Sequence, residues 1–138
     1  MTPPTLSRLH HVTFPVEDLD AGVAWFEKIF RAERLPWLDH RDRDGTLLSL
    51  AGLDVPVQLR TVPGGAASPG YEPVTFGVAD RAELDRWVAH LNAHGVNHSP
   101  VTNARIGDSV RFTSPDGAPL RLYTRPDGDV MSHTGRHS

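Results

Sequence analysis

The 138-residue chain contains no cysteine, which excludes disulfides, thiolate-bound metal sites and thiol catalysis and leaves nothing that points to an oxidising compartment. No apolar run approaches the roughly 20 residues a membrane span needs, and the opening MTPPTLSRLHHVTF lacks the charged segment and apolar core of a secretory signal. The expectation is a soluble cytoplasmic protein with no membrane partner. Positive charge is in slight deficit, with 14 Lys and Arg against 17 Asp and Glu and a net charge of −3. No basic stripe interleaved with aromatics offers a phosphate backbone a footprint, so nucleic acid is not an expected partner. What is present is a globular balance of 38% hydrophobic and 22% charged residues, with 12 Gly and 12 Pro for turns, in a chain long enough for one compact domain.

An internal repeat organises that domain. VTFPVED at Val12 to Asp18 and VTFGVAD at Val74 to Asp80 match at five of seven positions, at an offset of 62. The same offset carries Trp25 onto Trp87 and Gly45 onto Gly107, and an offset of 63 carries VQLRTVP from Val57 onto LRLYTRP from Leu120. Two modules follow, 1–62 and 72–126, joined by the Gly- and Pro-rich linker 63–71 and ending in a loose tail, 127–138.

Each module reads as a strand, a helix and three further strands. Val12, Phe14 and Val16 alternate with polar neighbours at the period of a strand packed on one face. Leu19, Val23, Phe26 and Phe30 then fall at helical spacing behind Asp18 or Asp20 as N-cap. In the second module Asp80 and Glu83 form a capping-box-like start, Leu84, Trp87, Val88 and Leu91 form the apolar stripe, and Gly95 ends the helix. Strands are expected at 33–39, 46–51 and 55–61, and at 97–102, 108–113 and 119–124, with SPDG at 114–117 as a tight turn. Runs of strands after each helix give an α+β class.

Strand parity sorts the side chains into two faces. Phe14, Leu48, Val57, Leu59, Phe76, Val110, Phe112, Leu120 and Leu122 share the helix side. The opposite parity gives His11, Thr13, Ser49, Gln58, Arg60, Pro73, Thr75, Ser109, Arg111, Arg121 and Tyr123. By parity alone this polar set is equally the solvated side of a one-sided sheet or the wall of a site. His90 and His94 stand at i and i+4 but on the solvent side of their helix. Trp25 and Trp87 read as core.

The doubled βαβββ pattern, the openings LHHVTFPVEDLDAGVAWF and VTFGVADRAELDRWVAHLNAHGV, and the closing SPDGAPLRLYTRP resemble the vicinal oxygen chelate superfamily over residues 8 to 126. That superfamily includes glyoxalase I, bleomycin-resistance proteins, extradiol dioxygenases and fosfomycin-resistance enzymes. The resemblance implies two modules curled into a cup-shaped mixed sheet with the helices outside, a small molecule held in the cup, and a homodimer. It also implies metal-ligand positions, which fall on His11, Gln58, Pro73 and Arg121. His11 is an ordinary ligand, Gln58 offers only a neutral oxygen, Pro73 has no side-chain donor, and Arg121 brings a fixed positive charge. No metal or other cofactor is therefore expected; a metal, if bound, would rest on His11 and Gln58.

The ligand-binding set is His11, Thr13, Trp37, Ser49, Gln58, Arg60, Thr75, Arg111, Arg121 and Tyr123, with Trp37, Leu47 and Pro73 as an apolar wall. Three arginines among hydrogen-bond donors favour an anionic or oxygen-rich, aromatic small molecule. The expected function is metal-independent binding of the sequestration and resistance kind. A metal-free isomerase, cyclase or lyase with His11 as acid/base and Tyr123 stabilising negative charge is the alternative, ahead of a metal-dependent lyase or dioxygenase. Whether the protein is an enzyme stays open at this point.

Overall fold

The computed structural model describes residues 3–7, 9–36, 45–62, 74–104 and 106–124. The linker 63–71 and the tail 127–138 lie outside them, as do Trp37 and Pro73. The chain divides into two compact units, Met1–Gly65 and Ala66–Ser138. Each carries the βαβββ order among its described residues.

The first unit runs β1 (Val12–Val16), α1 (Leu19–Phe30), β2 (Glu33–Leu35), β3 (Gly45–Ser49) and β4 (Val57–Thr61). Its sheet order is β1-β4-β3-β2, with β1 parallel to β4 and the other pairs antiparallel. Asp18 caps α1 by accepting a hydrogen bond from the Ala21 amide, which satisfies one of the amides a helix start leaves without a partner. The helix then buries Val23, Phe26, Ile29 and Phe30, and Phe26 meets Phe14 of β1 at 5.8 Å between ring centroids. Gly22 brings the helix close to the sheet, because a Cβ there would lie 2.8 Å from Val16 Cγ1.

The second unit runs β5 (Phe76–Val78), α2 (Arg81–Ala93), β6 (Thr102–Ala104), β7 (Gly107–Thr113) and β8 (Pro119–Thr124), in the order β5-β8-β7-β6. Asp80 caps α2 through the Glu83 amide, Leu84 and Leu91 are fully buried, and Gly95 takes a positive φ of 69° after the last turn. Arg81 at the start of α2 bonds Asp85 at 2.9 Å and Asp108 of β7 at 3.2 Å. These bonds raise its pKa above the ordinary arginine value, the hydrogen bond that Arg81 donates to Asp85 contributing most. In the SPDG turn Gly117 has φ 84° and its amide bonds Ser114 O.

Three expectations need correction. The strand expected at 97–102 is instead β6 at Thr102–Ala104, preceded by a single bridge between His98 and Phe112; Pro100 has no amide to continue the ladder. β4 starts at Val57 rather than 55, because Pro56 likewise cannot donate. Trp25 and Trp87 are half-buried rather than core: Trp25 packs edge-on against Phe26 and Phe30, and Trp87 against His90. Among the described residues no helix is long and apolar enough to cross a membrane.

Candidate functional site

In the first unit, the sheet face turned away from α1 centres on Gln58. Thr13 and Gln58 are register partners on β1 and β4, and Thr13 Oγ1 donates to Gln58 Oε1 at 3.1 Å. Leu47 lies beside Gln58 on β3, and both are withdrawn from water, at 6% and 7% exposure. Arg60, two residues along β4, is exposed, while Ser49 faces Glu33 of β2 and is half-buried. His11, expected on the first strand, precedes it and is exposed. Its Nδ1 sits 2.9 Å from His10 Nδ1, so one of the two rings donates to the other.

In the second unit, the face turned away from α2 carries Arg111 directly opposite Arg121, and Ser109 directly opposite Tyr123. Arg121 leans towards Tyr123, with Nη1 3.5 Å from the phenol oxygen and the guanidinium carbon 5.7 Å from the ring centroid. This is a hydrogen-bond contact at the limit of range with a cation–π component. Ser109 is only 4% exposed, whereas Arg111 reaches solvent. Thr75, expected on the strand, precedes β5 and is exposed. Two like charges directly across a ladder repel each other, an arrangement that is ordinarily destabilising.

Beside Arg111 the chain forms a shallow pocket of about 400 Å³, lined also by Asn97, His98, Ser99, Phe112, Thr113 and Pro119. Sequence reasoning placed residues 97–99 on a strand and gave them no part in a site. The signal was the proline at 100, which breaks the ladder and leaves this stretch to run along β7 through the Ser99 amide bonded to Arg111 O and the Arg111 amide bonded to Ser99 Oγ.

The described residues do not bring together a three-ligand set that fits a divalent cation. Among the described residues no group of three His, Cys, Asp or Glu comes together. The His90 and His94 rings are neighbours at 4.7 Å between centroids, on a helix with no further ligand in such a group. Gln58 Oε1 is already an acceptor for Thr13, and Arg121 places a permanent cation on its face. The second face instead suits an oxyanion: two planar guanidinia, a phenol and a hydroxyl are donors that bind and orient such a group.

A family model of the Glyoxalase/Bleomycin resistance protein/Dioxygenase superfamily matches residues 8–122. The metallothiol transferase FosB of Staphylococcus epidermidis is 24% identical over 131 residues, covering 93% of this chain and 89% of that protein. A glyoxylase/bleomycin resistance protein/dioxygenase domain from Frankia sp. EAN1pec superposes with a TM-score of 0.75 at 24% identity, covering 94% of this chain and 99% of that one. FosX from Listeria monocytogenes, a fosfomycin resistance protein solved with Mn(II) and 1S,2S-dihydroxypropylphosphonic acid, gives a TM-score of 0.75 at 20% identity over 93% of this chain and 99% of its own.

Proposed function

The chain belongs to the Glyoxalase/Bleomycin resistance protein/Dioxygenase superfamily, and from that premise we propose that it binds an anionic, oxygen-rich small molecule without the help of a metal. The reading is of the resistance type, in which the compound is held rather than transformed. The observation that carries it is the Arg111 and Arg121 pair, directly opposite on β7 and β8 with Tyr123 against Arg121. Guanidinium forks match phosphonate, phosphate and carboxylate oxygens, and partial removal from water strengthens the attraction. The donor set described above supports metal independence, in contrast to FosX, whose solved structure holds Mn(II). A cytoplasmic homodimer, the arrangement implied by the family resemblance, is part of the proposal and is checked by light scattering on the purified chain.

Fosfomycin is the first probe, because relatives of this chain are fosfomycin resistance proteins. Calorimetric titration with chelator present is expected to give binding that Arg121→Leu weakens by about tenfold or more, about 1.4 kcal/mol. Binding that requires added Mn(II), or that is unchanged in Arg121→Leu, overturns the reading in favour of a metal enzyme or of a different face.

A further inference from the structure

We propose that the C-terminal end of α2 carries a chelating site for an exchangeable transition-metal ion of the Zn(II) or Cu(II) kind, formed by the imidazoles of His90 and His94. The pair lies on the helix, on the opposite side of the second unit's sheet from Arg111 and Arg121, and the inference does not depend on the anion-binding reading.

Helix geometry sets the pair. Residues four apart stand on one side of a helix, one turn above the other. The last turn of α2 stays helical as far as His94, whose amide bonds His90 O at 3.2 Å. The two rings are 4.7 Å apart between centroids, with their planes at 70°. At that separation side-chain rotation brings one nitrogen of each ring onto a single ion while the backbone stays where it is. The half-buried Trp87 packs edge-on against His90 at 5.4 Å, which narrows the rotamers of that ring and lowers the entropy lost on binding. His94 is exposed, so an incoming ion reaches the pair from water.

The electrostatics of the helix favour a cation at this end. The C-terminus is the negative pole of the helix dipole, and both histidines sit in its last turn or at its cap. The arginines of α2 are drawn towards acids nearer the N-terminus: Arg86 to Glu83 at 3.6 Å, and Arg81 to Asp85 and Asp108. Imidazole nitrogens without a carboxylate select ions that accept nitrogen donors and pass over Mg(II) and Ca(II), which seek oxygen. Among the described residues no third His, Cys, Asp or Glu joins the pair. Water therefore fills the other coordination positions, and the ion exchanges, unlike one in a closed four-ligand site. An ion that needs the helical spacing binds the folded chain alone and stabilises it by mass action.

Zn(II) is the probe, because it has no redox chemistry of its own. Titrated into the full chain and followed by NMR, it is expected to shift the ring resonances of His90 and His94 together, with one shared midpoint, while Mg(II) moves neither. Calorimetry is expected to show His94→Gln weakening this binding by about tenfold or more, because one imidazole alone is no chelate. His11→Gln, which breaks the other pair of touching histidines, His10 and His11, is expected to leave it unchanged. Ring shifts at His10 and His11 with none at His90 and His94 overturn the proposal. So do a folded His94→Gln that binds Zn(II) as tightly as the unaltered protein, and histidine resonances that a large excess of Zn(II) does not move. If His94→Gln does not fold, the ring shifts of the unaltered protein decide: a shared midpoint for His90 and His94 supports the chelate, and separate midpoints refute it.

Discussion

Gly107 opens β7 at φ 137°, and replacing it with alanine should be among the most damaging small changes available in the second unit. A Cβ at this position would lie 2.5 Å from the carbonyl oxygen of Thr124 and 2.8 Å from its hydroxyl. Neither atom can withdraw easily, since Thr124 is buried and its hydroxyl accepts the Asp108 amide at 2.9 Å. Two costs add. Holding a non-glycine residue at such a φ costs about 1–3 kcal/mol, and forcing an extra carbon into backbone contact costs about another 1–3 kcal/mol. The narrower unfolded ensemble of alanine returns only about 0.4–1 kcal/mol. The net expectation is a loss of about 3 kcal/mol, which at a urea slope of about 2 kcal/mol/M lowers the midpoint by about 1.5 M. Gly117→Ala is the control: its φ is 84°, and an added Cβ would meet nothing within 4 Å, so it carries only the dihedral cost of about 1 kcal/mol. Equilibrium urea unfolding followed by circular dichroism compares the two. A Gly107→Ala midpoint within about 0.3 M of Gly117→Ala refutes the claim that contact with Thr124, rather than backbone strain, dominates.

Thr46 Oγ1 is buried with no hydrogen-bond partner among the described residues, so Thr46→Val removes an unsatisfied polar atom at nearly constant volume; thermal melts should show stability unchanged or raised by about 1 kcal/mol, and a clear loss would mean that the hydroxyl has a partner. Arg81 has a raised pKa from Asp85 and Asp108, and a group whose folded pKa is raised contributes fully below its unfolded value and is lost only as pH rises through the folded one. Both values lie far above neutrality, so the stability difference between the protein and Arg81→Met should be equal at about pH 6 and about pH 9; a difference that shrinks on the alkaline side would refute this network.

Much of this fold was legible because its elements announce themselves locally. The Asp18 and Asp80 caps, the Gly95 stop and the SPDG turn each follow from one residue's chemistry, and the repeat of VTF located both first strands. Strand ends were less legible, because they depend on which partner can still donate. Pro56 and Pro100 end ladders that hydrophobic pattern alone would extend. Arg31 was invisible as a helix end, since it takes the left-handed conformation (φ 54°) that pattern reading reserves for glycine. At the site, parity assigned Gln58, Ser109, Arg111, Arg121 and Tyr123 to the faces opposite the helices. It could not show that His11 and Thr75 fall just outside their strands, nor find the pocket, whose lining comes from a stretch broken by proline.

Burial bears on what parity left open. A sheet face that merely meets water leaves its central positions exposed, yet Gln58 and Leu47 in the first unit and Ser109 in the second are buried. Polar groups in such places need partners, and Gln58 has one in Thr13. The consequence for charge follows directly. Two unit charges about 4 Å apart interact by about 1 kcal/mol in water and by about 4 kcal/mol at the effective dielectric of a protein surface. On the proposed reading, the half-buried position of Arg121 opposite Arg111 would strengthen its attraction for an anion relative to an exposed arginine. The same electrostatics would, on that reading, favour a phosphonate or carboxylate here and oppose a divalent metal.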